Sequence, residues 1–267
     1  SGRPRYRADV GVKHSRIAEI GKILTPATRT IDADGLVLSP GFIDGHTHMD
    51  AQVSWDPIGS CSCWHGVTSV IMGNCGFALA PCPPKQREWF AKCLEAVEDI
   101  PADTMMSGID WTWETFPEYL ATVERLPKGI YYGAYIGHSA LRMYTMGERA
   151  LSEKATRDDL KQMGHSVVEA LRAGALGFSS SRSTTHTTPE GTPLASRIAE
   201  WRELDHIIGE MAKLNAGIFQ CGPDISSGKA QKAFLKRLQQ LAIKTGRPMM
   251  VPTAATEQGV RPLSGGG

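Results

Sequence analysis

His46 and His48 stand two residues apart in Gly41-Phe-Ile-Asp-Gly-His-Thr-His-Met-Asp50, at the end of an apolar run. In extended backbone this spacing puts both imidazoles on one face and Thr47 on the other. Two neighbouring imidazoles can share one divalent metal through nitrogen. A second apolar run, Thr68-Ser-Val-Ile-Met-Gly-Asn, leads to Cys75, whose thiol is a soft ligand once deprotonated. The competing readings are strand-end histidines bonded to backbone or solvent, and a buried cysteine acting as a small hydrophobe. Asp50 suits either an orienting contact to a histidine or the start of a helix.

These donors need short buried strands to carry them, Leu36–Asp44 for the histidines and Thr68–Asn74 for the thiol. From residue 41 onward strand and helix patterns alternate, which predicts parallel βα units in an α/β fold. Strands are expected near 41–46, 68–74, 130–137, 175–180, 216–221 and 248–253. Helices are expected near 85–98, 116–125, 157–172, 198–214 and 229–245. In 157–172, Thr156 can cap with Asp159, and Leu160, Met163, Val167 and Leu171 line one face before Gly174. Two consecutive strands that each deliver metal-type ligands at their C-terminal ends fit a (β/α)8 TIM-type barrel. Only about six βα units are present, so the barrel is expected to be incomplete, within residues 41–267. Residues 1–40 alternate over 8–13 and 16–23 and read as short strands and turns, with 30–38 leading into the barrel. The aromatic loop Trp111-Thr-Trp-Glu-Thr-Phe-Pro117 suits a lid or simple packing over the barrel top.

Four blocks together resemble the amidohydrolase superfamily, and within it the N-acyl-D-amino-acid deacylase (D-aminoacylase) group. They are Pro40-Gly-Phe-Ile-Asp-Gly-His-Thr-His48, Gly66-Val-Thr-Ser-Val-Ile-Met-Gly-Asn-Cys-Gly-Phe-Ala-Leu-Ala-Pro81, Gly137-His-Ser-Ala-Leu-Arg142 and Gly174-Ala-Leu-Gly-Phe-Ser-Ser180. The resemblance implies that residues 1–40 are part of a small β-sandwich. It also implies that His46, His48 and Cys75 are zinc ligands; because the histidines of the family's second metal position are missing here, one zinc is expected rather than two. The resembled enzymes supply histidines at the ends of the fifth and sixth barrel strands. Here those strands read Gly217-Ile-Phe-Gln-Cys-Gly-Pro-Asp224 and Pro248-Met-Met-Val-Pro, leaving Gln220, Cys221 and Asp224 as the nearby substitutes. The aspartate that serves the family as ligand and general base, after the eighth strand, has no counterpart in residues 1–267. Three further residues are expected at the site: His138, facing the pocket as a donor to the carbonyl or held in a structural hydrogen bond; Arg182, paired with a substrate carboxylate; and His186, reaching in from the loop after the fourth strand.

The resemblance implies a zinc-dependent hydrolase of linear C–N amide bonds in small N-acyl amino acids. A cyclic amidase or deaminase of the same superfamily, and a metal-binding or inert subunit of a split enzyme, are the alternatives. A second chain supplying the missing strands is an expected partner, since Leu263-Ser-Gly-Gly-Gly ends the sequence as a tail rather than a strand and Ser1 begins it. Bulk properties exclude other classes. With 267 residues, 41% apolar, 21% charged and a net charge of +1, the chain has no strongly basic block for nucleic acid. No apolar run spans a bilayer and no signal-peptide pattern opens the chain, so neither membrane nor export is expected. Six scattered cysteines fit a reduced, cytoplasmic protein. Cys61-Ser-Cys63-Trp-His65 lacks the second ligand pair of a structural zinc site.

Overall fold

The computed structural model describes residues 4–188, 190–224 and 227–252. The chain divides into two units, Ser1–Pro40 and Gly41–Gly267. In the first, strands β1 (Asp9–Lys13) and β2 (Arg16–Gly21) pair antiparallel around a tight turn. His14 and Ser15 at that turn take positive φ of 49° and 58°, the hand that matches hairpin twist. Residues 30–38 form no strand; Leu36, Val37 and Leu38 are exposed.

In the second unit six parallel strands follow one another in chain order: β3 (Phe42–Asp44), β4 (Val67–Met72), β5 (Tyr131–Gly137), β6 (Gly177–Ser181), β7 (Ile218–Gly222) and β8 (Met249–Met250). Ile136 pairs with Phe178 and Ser179 with Gln220, so the strand ends stay level. The result is a curled six-strand half-barrel. Between the strands run α1 (Ser60–Cys63), α2 (Arg87–Glu98), α3 (Ala102–Gly108), α4 (Phe116–Arg125), α5 (His138–Met146), α6 (Arg157–Arg172), α7 (Ala195–Ile198), α8 (Trp201–Leu214) and α9 (Gly228–Thr245). β6 is buried along its whole length, as a central parallel strand must be when both faces are covered. Phe178 and Phe219 stack at 5.7 Å on neighbouring strands.

α6 starts on a capping box, Thr156 with Asp159, and buries Leu160, Met163 and Val167. It lies beside α8, which buries Leu204, Ile207, Ile208 and Met211. Two expectations change. The buried strand expected over Leu36–Asp44 shrinks to Phe42–Asp44 and is exposed, because among the described residues β3 is an edge strand paired only with β4. α5 follows β5 directly where only a segment was read. The Trp111–Pro117 loop packs inward: Trp113 is buried and its Nε1 donates to the Leu79 carbonyl at 2.8 Å. Thr253 and the tail at 263–267 lie outside the described residues. No helix among the described residues is long and apolar enough to cross a membrane.

Candidate metal centre

The turn after β4 organises the site. Gly73, Cys75 and Gly76 have φ of 75°, 56° and 77°. A Cβ on Gly73 would lie 2.2 Å from the Tyr135 carbonyl oxygen, so only glycine lets the turn press onto β5. Three side chains from three elements each hold one of its amides. The Gly73 N–H donates to Asp50 Oδ2 at 3.0 Å, the Cys75 N–H to Gln220 Oε1 at 2.7 Å and the Gly76 N–H to Ser179 Oγ at 3.0 Å. Ser179 Oγ also donates to the Gly73 carbonyl, and Asn74 Nδ2 donates to the Thr47 and Ile71 carbonyls. Asp50 therefore holds the turn that carries Cys75. The orienting contact to a histidine is not among its hydrogen bonds.

His46, His48 and Cys75 converge over this cradle. One ligand atom from each lies within 4.8 Å of the others, and no other group of three or more His, Cys, Asp or Glu does this among the described residues. Cys75 Sγ is 3.5 Å from His46 Nε2, and the two imidazoles meet edge-on at 5.4 Å between centroids. Nδ1 of each ring is buried with no hydrogen-bond partner. Burial holds the His46 pKa below its ordinary value, and burial with the nearby His46 and His186 charges takes His48 down to about 3. Both rings are therefore neutral at pH 7 and keep a lone pair for a ligand bond. Burial pushes the Cys75 thiol up to about 11, against the pull of its hydrogen bond from Gln220. Two neutral imidazoles and a shielded thiol, each bringing one donor atom to a common point, suit a divalent ion. Its charge would draw off the thiol proton that burial retains.

His186 approaches from the loop after β6. The Phe77 ring stands edge-on to His48 at 5.9 Å and to His186 at 5.2 Å. His186 Nδ1 is 2.8 Å from Ser181 Oγ, and burial, then the Arg197 and His46 charges, lower its pKa to about 4. Ser181 was not read from the sequence, although its place at the end of β6 marks it.

His138 and Arg182 lie elsewhere. His138 is fully buried: Nε2 is 2.7 Å from Glu203 Oε1 and Nδ1 is 2.8 Å from Ser180 Oγ. The Glu203 carboxylate, held below its usual range by His138 and Arg142 despite burial, only accepts, so Nε2 carries the proton and Ser180 donates to Nδ1. Instead of facing a pocket, His138 ties the start of α5 to β6 and α8, the structural reading. Glu203 also pairs with the buried Arg142 guanidinium, whose Nη2 donates to the Ala150 and Glu153 carbonyls at 3.2 and 2.8 Å. Arg182 packs over Trp201 at 5.0 Å and its Nη1 donates to the Arg197 carbonyl at 3.2 Å. It lines an open cavity of about 490 Å³ with Thr184, Trp201, Asp224 and Phe234 among others, but with none of His46, His48 and Cys75.

Comparison with known proteins agrees with this architecture. A family profile described as "Amidohydrolase family" matches residues 29–262. The chain belongs to the amidohydrolase family. A D-aminoacylase of Alcaligenes xylosoxydans xylosoxydans is 35% identical over 180 residues, which are 67% of this chain and 34% of that protein. Among solved structures, an N-acyl-D-glutamate deacylase of Bordetella bronchiseptica, complexed with zinc and a phosphonate mimic of the tetrahedral intermediate, superposes with a TM-score of 0.77. It is 26% identical over 97% of this chain and 50% of that one. A D-aminoacylase described by one-metal activation and second-metal attenuation of a binuclear centre superposes with a TM-score of 0.73, at 26% identity over 93% of this chain and 48% of that one. The chain thus spans a third to a half of the length of these amidohydrolase relatives.

Proposed function

We propose that this chain carries the metal-binding half of a zinc-dependent amidohydrolase that cleaves the linear amide of N-acyl-D-amino acids. The observation behind this reading is the convergence of His46, His48 and Cys75 to within 4.8 Å at the C-terminal ends of adjacent barrel strands. These three residues would hold one zinc. A bound zinc supplies a Lewis acid that polarises an amide carbonyl and acidifies water. His186 is neutral at pH 7, and Ser181 occupies its Nδ1. That leaves Nε2 as the nitrogen free to hydrogen-bond the substrate or the attacking water. Phe77, buried between His48 and His186, keeps water from their inner faces. His138 stays outside this reading because both its nitrogens are engaged, and Arg182 because it lines another cavity. The carboxylate base of the family would come from a second segment that completes the barrel.

A second reading, a metal-binding subunit with no activity of its own, is favoured by Gln220. It stands in β7, the strand at whose end the resemblance calls for a histidine. The test is release of free amino acid from N-acetyl-D-amino acids, with the L-forms as control, by chelator-treated and zinc-loaded chain, each alone and mixed with a second chain that supplies the remaining barrel strands. Zinc-dependent release confined to the D-form supports the deacylase. Zinc uptake without release even in the mixture supports the inert subunit, and absence of zinc uptake contradicts both.

A further inference from the structure

Gln220 is fully buried on β7, and both ends of its carboxamide are spent on one residue. Oε1 accepts from the Cys75 N–H at 2.7 Å, and Nε2 lies 3.8 Å from Cys75 Sγ in donor geometry. The orientation of the amide follows from the partners. A backbone N–H can only face an acceptor, so the oxygen must point at it, which leaves the NH2 group for sulfur.

The turn itself does not need this bond to stay in place. Asp50 grips Gly73 on one side of Cys75 and Ser179 grips Gly76 on the other. Among the described residues Gln220 alone reaches both the backbone and the sulfur of Cys75 between them. That residue is in a left-handed conformation, φ 56° and ψ 20°, which a side chain other than glycine holds only with local support. The same side-chain placement brings Sγ within 3.5 Å of His46 Nε2.

We infer that Gln220 is a positioning residue: its carboxamide fixes the Cys75 backbone and donates to the sulfur, so that the thiolate is presented to the ion shared with His46 and His48. It acts through Cys75 and is not itself a ligand. This inference rests on the metal-centre reading given above and assigns a function to the buried polar side chain of β7. An N–H donor stabilises the sulfur lone pairs. It therefore raises the energy needed to move an electron from sulfur to a bound ion.

The test uses the whole chain titrated with Co2+, whose thiolate-to-cobalt charge-transfer band reports on sulfur directly. The parent shows a saturable band that is lost in Cys75→Ser. Gln220→Met keeps the side-chain volume and removes both polar ends. It is expected to weaken cobalt binding about 10- to 100-fold, as loss of a partner behind a ligand does, and to move the band to longer wavelength. Gln220→Leu removes both polar ends in a smaller apolar side chain and has no donor for sulfur. It shows the same shift and covers the case in which the Met variant does not fold. A parent band that both variants leave unchanged in position, with the Met variant binding cobalt as tightly as the parent, would overturn the role of Gln220 and spare the metal centre. A parent chain with no band at all would overturn the metal-centre reading, and this one with it.

Discussion

Two polar groups, one buried and one half-buried, sit on different strands of the same parallel sheet, and they are finished to different degrees. In the group of His138, Ser180, Arg142 and Glu203, nearly every polar atom has a partner. Both imidazole nitrogens, both carboxylate oxygens and two of the three guanidinium nitrogens are bonded. In the group of His46, His48 and Cys75, each ring keeps a shielded, unpartnered Nδ1, and the donor atoms face one another. A satisfied network holds strands and helices together. A convergent, unsatisfied one is costly unless something completes it. The contrast assigns scaffold work to the first group and chemistry to the second, although both contain a histidine in a conspicuous motif.

The largest effect should come from breaking the finished group. Glu203→Ala leaves the Arg142 guanidinium buried without its counter-charge, and is expected to lower unfolding free energy by about 3–5 kcal/mol in urea titrations. That is enough to unfold a marginal domain. An equally mild response to Glu203→Ala as to an exposed substitution would erase the distinction. For the unfinished group the expected response is to metal. Zinc at about a thousandfold excess over its Kd should stabilise the parent by about 4 kcal/mol and leave His46→Ala/His48→Ala unmoved. Stabilisation of both to the same extent would place the ion elsewhere.

Smaller effects follow from protonation in the metal-free chain. His186 is neutral in the folded chain down to about pH 4 but takes a proton when unfolded below about 6.5. The unfolded state then binds the extra proton, so this group costs stability as pH falls from 6.5 to 4. His186→Gln should gain on the parent over that window. Asp50 has the opposite sign. Burial raises its pKa to about 7, so the folded state holds the extra proton between about 4 and 7, and stability is lost as pH rises across that range. Asp50→Asn should gain on the parent as pH rises. Urea midpoints at three pH values check both, and parallel curves for parent and variants would contradict them.

How much of this was legible in the sequence depends on the range of the interactions involved. α6 was readable to its end residues because its signals are local: a capping pair at Thr156 and Asp159 and an apolar stripe. α5 was not, because it is buried almost all round from His138 to Met143 and so has no stripe to read. The strand ends bearing His46, His48 and Cys75 were readable from spacing and motif. The true setting of His138 was not, since its partner Glu203 lies 65 residues away on α8. Gln220 shows the same limit. Its position in a strand was visible, but its bond to Cys75 spans 145 residues and exists only once the strands are level.

The most direct measurement is metal content per chain by mass spectrometry on purified protein, for the parent, His46→Ala/His48→Ala and Glu203→Gln. About one zinc in the parent, none in the histidine variant and about one in Glu203→Gln is the expected result. Zinc retained without His46 and His48, or lost with Glu203 while the fold persists, would contradict the division between a finished scaffold group and an unfinished metal centre.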